Sequence, residues 1–204
     1  MSGAYLASAD SALIRKVLGD CSGGSALEIG AGNGGSLAEL AGRFGLAVGT
    51  DVVRPGMEDW SAKGANFVLA DAASCLRDSA FDLVAFNPPY LRERIHDRAT
   101  DGGLDLGVAK GFLKEALRAV KISGKVVFLL NQEADIRSFE MMCEERGFRI
   151  RKLKSERVFF EELSVYCAEK GQPPGVEATV LHPKMLGESG KKGPFPLLGI
   201  VIPH

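Results

Sequence analysis

Cysteine is scarce in this chain and poorly placed for chemistry. Cys21, Cys75, Cys143 and Cys167 are the only four in 204 residues, widely dispersed and without a C-x-x-C pair. Zinc ribbons and disulfide frameworks need closely spaced thiols, so both are disfavoured and no metal ligands are assigned. All four cysteines are expected as small core hydrophobes. Long apolar runs are missing as well: no stretch approaches eighteen residues, and the N-terminus has no basic segment followed by a long apolar core. Neither a membrane span nor a secretory leader is expected, which places the chain in the cytoplasm. Nor does charge of either sign dominate, since 25 Lys and Arg face 26 Asp and Glu for a net charge of -1. There is then no global attraction to nucleic acid, only the option of a local basic patch.

A hydrophobic fraction of 46% over this length is enough for one sizeable core. Strands are expected at residues 25–29, 46–50, 66–70, 81–86 and 125–130. Helices are expected over 36–41, over 110–120 with Lys121-Ile122-Ser123-Gly124 as its break, and around Ile136, Phe139, Met142 and Cys143, whose spacing makes one apolar face. Residues 148–153 and 157–168 read as two further β runs with a turn at Lys154-Ser155-Glu156. Alternating strands and helices with a β-rich close imply an α/β fold, a mostly parallel sheet with helices on both faces. The domain is expected to span residues 1–170. From Gly171 the composition shifts, with six of the nine prolines in the last 34 residues. That extension, 171–204, offers a possible hairpin between 176–181 and 197–202, with Lys191-Lys192 solvated in its loop.

Two segments carry chemistry. The apolar run 25–29 enters Gly30-Ala31-Gly32-Asn33-Gly34-Gly35, after which helical spacing resumes, so the order is strand, glycine loop, helix. It reads as G-x-G-x-x-G through Gly35 or as G-x-G-x-G through Gly34. The strand at 46–50 ends in Asp51, nineteen residues beyond Gly32, where this architecture hydrogen-bonds ribose hydroxyls; the plainer reading is an Asp that caps a turn. The strand at 66–70 leads into Asp71-Ala72, where Asp also suits a helix N-cap. The second segment is Asn87-Pro88-Pro89-Tyr90, directly after the strand 81–86. Proline fixes its own φ and biases its predecessor toward extended backbone, so the turn is stiff. The Asn87 side-chain oxygen and the Pro88 carbonyl can then accept both hydrogens of one planar NH2 group, while Tyr90 offers a flat face.

The turn resembles the motif of amino-methyltransferases acting on adenine, guanine or glutamine nitrogen. Glu28, two residues before Gly30, resembles the acid of the E-x-G-x-G loop of class I methyltransferases, and a carboxylate there suits the ammonium of S-adenosylmethionine but not a pyrophosphate. Residues 5–14, Tyr-Leu-Ala-Ser-Ala-Asp-Ser-Ala-Leu-Ile, resemble the opening motif of HemK/PrmC-type glutamine N5-methyltransferases, with Ala7 where the family has proline. Residues 100–107 resemble the Gly-Gly-x-Asp-Gly segment that follows the family's turn, with Leu106 inserted before Gly107. The chain thus resembles the short archaeal and eukaryotic form of that family over residues 5–168. The resemblance implies a seven-stranded sheet with an antiparallel last member. It implies S-adenosylmethionine held by Tyr5, Asp10, Ser11, Glu28, Gly30, Gly32, Gly34, Asp51 with Val52, Asp71 with Ala72, and Asn87. Catalysis falls to Asn87, Pro88, Pro89 and Tyr90. The implied substrate is the glutamine of the Gly-Gly-Gln loop of a peptide-chain release factor, with a small zinc-binding activator protein as partner.

Two other readings stand beside this one. An N6-adenine or N2-guanine methyltransferase on DNA or RNA would use the same turn, and Arg92, Arg94, His96 and Arg98 could meet phosphates. Glu93, Asp97 and Asp101 interleave with them, however, and no flipping domain is visible. A non-catalytic cofactor-binding subunit is the third reading, against which the intact turn speaks.

Overall fold

The computed structural model describes residues 2–53, 64–89, 106–158 and 160–171, with side chains from residue 9 onward. The first helix, α1 (Ser2–Leu18), buries Leu13, Ile14 and Leu18 and carries Arg15 and Lys16 in its last turn, where cations suit the helix dipole. There follow β1 (Gly23–Ile29), α2 (Gly35–Ala41), β2 (Phe44–Asp51), β3 (Asn66–Leu69) and β4 (Phe81–Phe86). The chain continues through α3 (Gly107–Ala119), β5 (Val120–Asn131), α4 (Ile136–Glu144), β6 (Phe148–Val158) and β7 (Glu161–Lys170).

The seven strands form one sheet in the order β3-β2-β1-β4-β5-β7-β6. β3, β2, β1, β4 and β5 are mutually parallel, and β7 runs antiparallel between β5 and β6. Strands covered on both faces need apolar residues at successive positions, and Leu83, Val84, Ala85 and Phe86 are all buried accordingly. On the face toward α3 and α4, Phe86 stacks on Phe128 at 5.2 Å, Phe128 on Phe139 at 6.0 Å and on Tyr166 at 5.7 Å. This aromatic ladder ties β4, β5, β7 and α4 together.

Three expectations need correction. Lys121-Ile122-Ser123-Gly124 ends the helix but is itself strand: β5 starts at Val120, and the pairing jumps from Phe81↔Val120 to Leu83↔Lys125 through an irregularity. A Cβ on Gly124 would lie 2.8 Å from the Asp82 carbonyl oxygen and 3.0 Å from that of Phe81, so the close crossing of two backbones needs glycine. Lys154-Ser155-Glu156 is no turn. It lies within β6, and the connection to β7 falls at residues 159–160, where the Gln132 amide donates to the Phe160 carbonyl and accepts from the Glu162 N–H. β6 is an edge strand facing solvent along most of its length, so its polar residues imitated a turn. Cys143 and Cys167 are buried, whereas Cys21 is half-buried and Cys75 is exposed and not a core residue. The expected hairpin beyond Gly171 lies outside the described residues.

Candidate active site

The parallel strands deliver β1, β2, β3 and β4 to one edge of the sheet, and the loops after them carry the candidate residues. Gly30, Gly32 and Gly34 have φ of 71°, 52° and 79°, a left-handed region that side chains disfavour. Gly35 instead opens α2, so G-x-G-x-G is the spacing the backbone uses. The loop is folded back on β2, since the Gly30 and Ala31 amides both donate to the Thr50 carbonyl at 2.8 and 2.9 Å. Around Gly32 a Cβ would find no atom within 4 Å, so the loop leaves open space on that side.

Asp51 anchors this loop. Its carboxylate accepts the Gly32 N–H at 2.9 Å and the Val53 N–H at 3.0 Å. Both expectations for Asp51 are thus compatible: it fixes the turn, and each oxygen retains a lone pair for a ligand hydroxyl. Val52 is exposed beside it.

Glu28 is 7% exposed, one residue before the end of β1. It accepts from the Ser36 hydroxyl and the Leu37 amide at the start of α2, replacing the cap that Gly34 cannot supply. Burial pushes its carboxyl up to about 8, against the two hydrogen bonds, which act the other way. Its Oε2 is buried without a partner.

Asn87 follows the last residue of β4, and its Oδ1 is likewise buried with no hydrogen-bond partner; Pro88 beside it is buried. Tyr90 and residues 91–105, including Arg92, Arg94, His96 and Arg98, lie outside the described residues. Asp71 is exposed, and Ala72 has φ of 46°, a strained setting for a residue with a Cβ. Tyr5 lies on the backbone of α1, Asp10 is buried there at 4%, and its carboxylate accepts the Ser11 N–H.

Sequence reasoning missed two arginines. Arg118 of α3 donates to the Ala73 carbonyl at 2.6 Å, to the Leu76 carbonyl at 2.8 Å, and to Asp78 and Glu115, so it staples the segment carrying Asp71 to the helix. Arg15 of α1 donates to the Ser11 carbonyl at 3.1 Å and reaches Gly35, where a Cβ would meet its guanidinium at 2.8 Å. The Arg118–Glu115 pair is an ordinary i,i+3 contact within α3, but the contacts that make either arginine a staple, those of Arg118 to residues 73–78 and of Arg15 to Gly35, join segments distant in sequence and leave no local signal.

Among the described residues, the buried side-chain oxygens without a partner belong to Glu28, Asn87, Asn131 and Glu161. Asn131 ends β5 and Glu161 begins the antiparallel β7, so all four lie at the same edge of the sheet, where the glycine loop is. A surface depression lined by Arg149, Arg151, Glu169 and Lys170 sits at the opposite edge, away from every candidate residue. Among the described residues no group of three or more His, Cys, Asp or Glu could hold a metal, and no helix is long and apolar enough to cross a membrane.

No protein-family model and no curated protein matches the sequence. Solved structures do. The Mtq2-Trm112 complex of E. cuniculi, responsible for methylation of the eRF1 translation termination factor, aligns with TM-score 0.65 and 24% identity over 79% of this chain and 95% of that one. An rRNA methylase from Streptococcus thermophilus aligns at 0.54 and 14% over 78% and 95% of the two chains. A Burkholderia thailandensis N1-methyltransferase with bound S-adenosylhomocysteine aligns at 0.51 and 15% over 79% and 77%. At these identities the likeness speaks for architecture, and together with the strand order it establishes that the chain has the Rossmann-like fold of class I methyltransferases, a seven-stranded, mostly parallel sheet between helices.

Proposed function

We propose that the protein is an S-adenosylmethionine-dependent N-methyltransferase whose substrate is the glutamine amide in the Gly-Gly-Gln loop of a peptide-chain release factor. One observation carries the reading: Asn87 Oδ1 is a buried acceptor without a partner, on a proline-stiffened turn at the end of a central strand. A folded protein retains such an atom at a cost, and a ligand donor relieves it. The cofactor fits the residues present. Glu28 Oε2 is an unpaired oxygen suited to an ammonium, Asp51 keeps acceptor capacity for ribose hydroxyls, the space at Gly32 is open, and Asp71, exposed just after β3, is assigned the adenine amine in this proposal.

When bound, S-adenosylmethionine supplies a methyl group activated by a sulfonium leaving group. The chain's own contribution is orientation and electrostatics. A carboxamide nitrogen is a weak nucleophile because its lone pair is delocalised into the carbonyl. Accepting its two hydrogens at Asn87 Oδ1 and the Pro88 carbonyl fixes the NH2 group and favours charge building on nitrogen, an interaction strongest in the transition state. Holding the nitrogen in line adds proximity. The described residues of the turn include no ordinary general base, and the proton leaves to water. Tyr90 lies outside the described residues, and its role in this proposal, a flat face against the amide plane, is the one the resemblance implies.

A partner is proposed as well, the small activator that the resemblance implies. β3 is the outer strand of the sheet, four residues long, and Leu69 is 63% exposed there, with Val53 69% exposed just past the paired end of β2 and Leu46 44% exposed toward the other end of β2. An apolar sheet edge suits strand addition by another chain.

Single-turnover methylation of a release factor tests the function, with a Gln→Ala control in its Gly-Gly-Gln loop. Asn87→Ala is expected to lower the methyl-transfer rate by about a hundredfold or more while affinities change little. Asn87→Asp, which keeps an acceptor oxygen, is expected to retain partial activity. A wild-type rate for Asn87→Ala removes its role; equal labelling of the control removes the substrate; label in RNA or DNA transfers the case to the nucleobase reading.

A further inference from the structure

The row of unpaired oxygens continues past the catalytic turn. β4 ends at Phe86 opposite Phe128, but β5 runs three residues further, to Asn131, with β7 alongside it throughout. The sheet therefore has a step, and Asn131 and Glu161 stand on its raised side. Paired residues in neighbouring strands point to the same face, and residues two apart on a strand do so as well. Glu28 pairs with Ala85, Ala85 with Val127, and Asn131 with Leu163. Counting in twos places Glu28, Ala85, Asn87, Val127, Leu129, Asn131, Leu163 and Glu161 on one face, the face opposite the aromatic ladder.

Asn131 is 6% exposed, yet its Oδ1 has no partner, and Glu161 Oε2 is buried in the same condition. From Asn87 the step to Asn131 is one strand across and two residues along, and the step from Asn131 to Glu161 is the same. With strands about 4.8 Å apart and a rise of about 3.3 Å per residue, each step is roughly 8 Å between Cα atoms. Amide hydrogens on one side of an extended peptide repeat every two residues, or roughly 7 Å. The two periods match closely enough for flexible side chains to meet them.

We propose that Asn131 and Glu161 extend the acceptor row begun by Asn87 and seat an extended peptide segment that carries the residue to be methylated. This deepens the release-factor reading and rests on it. Asn87 takes the amide that reacts, and the two further oxygens take N–H groups of the flanking chain. The chemistry selects against the rival substrate, because a line of oxygen acceptors ending in a carboxylate gives a phosphate backbone nothing to bind and repels it at Glu161. These contacts exist before and during transfer alike, so they act on substrate affinity and not on the chemical step.

The test uses the full chain and an intact release factor. Asn131→Leu, which keeps the volume and removes the oxygen, is expected to raise KM for the release factor about 3- to 10-fold per lost hydrogen bond, with kcat and cofactor Kd unchanged. Asn131→Asp keeps an acceptor and should stay within about 2-fold of wild type by the same reasoning. Glu161→Gln should raise KM and also reduce the penalty for a competing RNA oligonucleotide. Because the acceptor is unpaired in the free protein, Asn131→Leu should leave the melting temperature unchanged or raise it. A wild-type KM in Asn131→Leu while release-factor methylation proceeds overturns the peptide track alone. So does a melting temperature several degrees lower, which would mark Asn131 as a packing residue. Transfer by the wild-type protein to nucleic acid and not to release factor overturns the function proposed above and the track with it.

Discussion

Glu28 is the residue at which folding and ligand binding pull in opposite directions. Its carboxyl is normally near 4.5 and is pushed up to about 8 by burial in the folded state, so between those values the native protein holds a proton that the unfolded chain releases. The stability this proton provides is fully present below pH about 4.5 and is lost as pH rises through about 8. A cofactor ammonium beside Oε2 favours the ionised form, so binding should expel that proton. Cofactor affinity should then rise between pH 6 and 8, by at most about tenfold per unit for one proton, and Glu28→Gln should abolish the slope. Calorimetry across that range, repeated in buffers of different ionisation enthalpy, measures both the slope and the proton; a flat wild-type profile would remove the ammonium assignment. The residues of this candidate site were legible in the sequence as a set, because Glu28, the glycines, Asp51 and Asn87 each stand at a fixed offset from a strand end, and the structure brings them to one edge of the sheet. Asn131 was not. It closes an apolar strand like any terminal polar residue, and only the pairing of β5 with β7 brings it to the site.

At the scale of elements, local patterns located most strands, the short edge strand β3 included, but missed the start of β5 and the middle of β6. β4 was legible with its observed ends because a run of six residues, five of them apolar, is bounded by a stiff turn. β6 was misread, since an edge strand with solvent on its surface carries the polar residues that otherwise mark a turn. Packing between α2 and β2 was not readable at all. A Cβ on Gly49 would fall 2.5 Å from Leu37 Cδ2 and 3.0 Å from Ala31 Cβ, so the helix after the glycine loop rests directly on bare backbone. Gly49→Ala is expected to destabilise the protein by about 1 to 3 kcal/mol through this overpacking. The same push acts on the loop anchored by Thr50 and Asp51, so cofactor affinity should fall as well. Thermal melts with and without S-adenosylhomocysteine check this, and an unaltered melting temperature would mean that α2 shifts freely.

For the molecule as a whole, alternating elements announced a parallel sheet, but its order is a matter of long-range pairing that no window of sequence contains. The exposed edge follows from that order. Leu69→Lys at β3 places a charge where a partner strand would dock, and should abolish stimulation by a small activator protein while leaving the fold and basal cofactor binding intact. Pull-down and activity assays with the activator decide it, and undiminished stimulation would move the partner elsewhere. The place of β7 has another consequence, one for biosynthesis. It is the last strand in chain order among the described residues, yet it occupies an interior position between β5 and β6. A ribosome therefore releases β6 before the strand that links it to the other five, and until Lys170 emerges the outer edge of β5, with Val126 to Leu130 fully apolar, has no partner. Nascent chains of this protein should be aggregation-prone late in translation and not early, and should need chaperone cover at that stage.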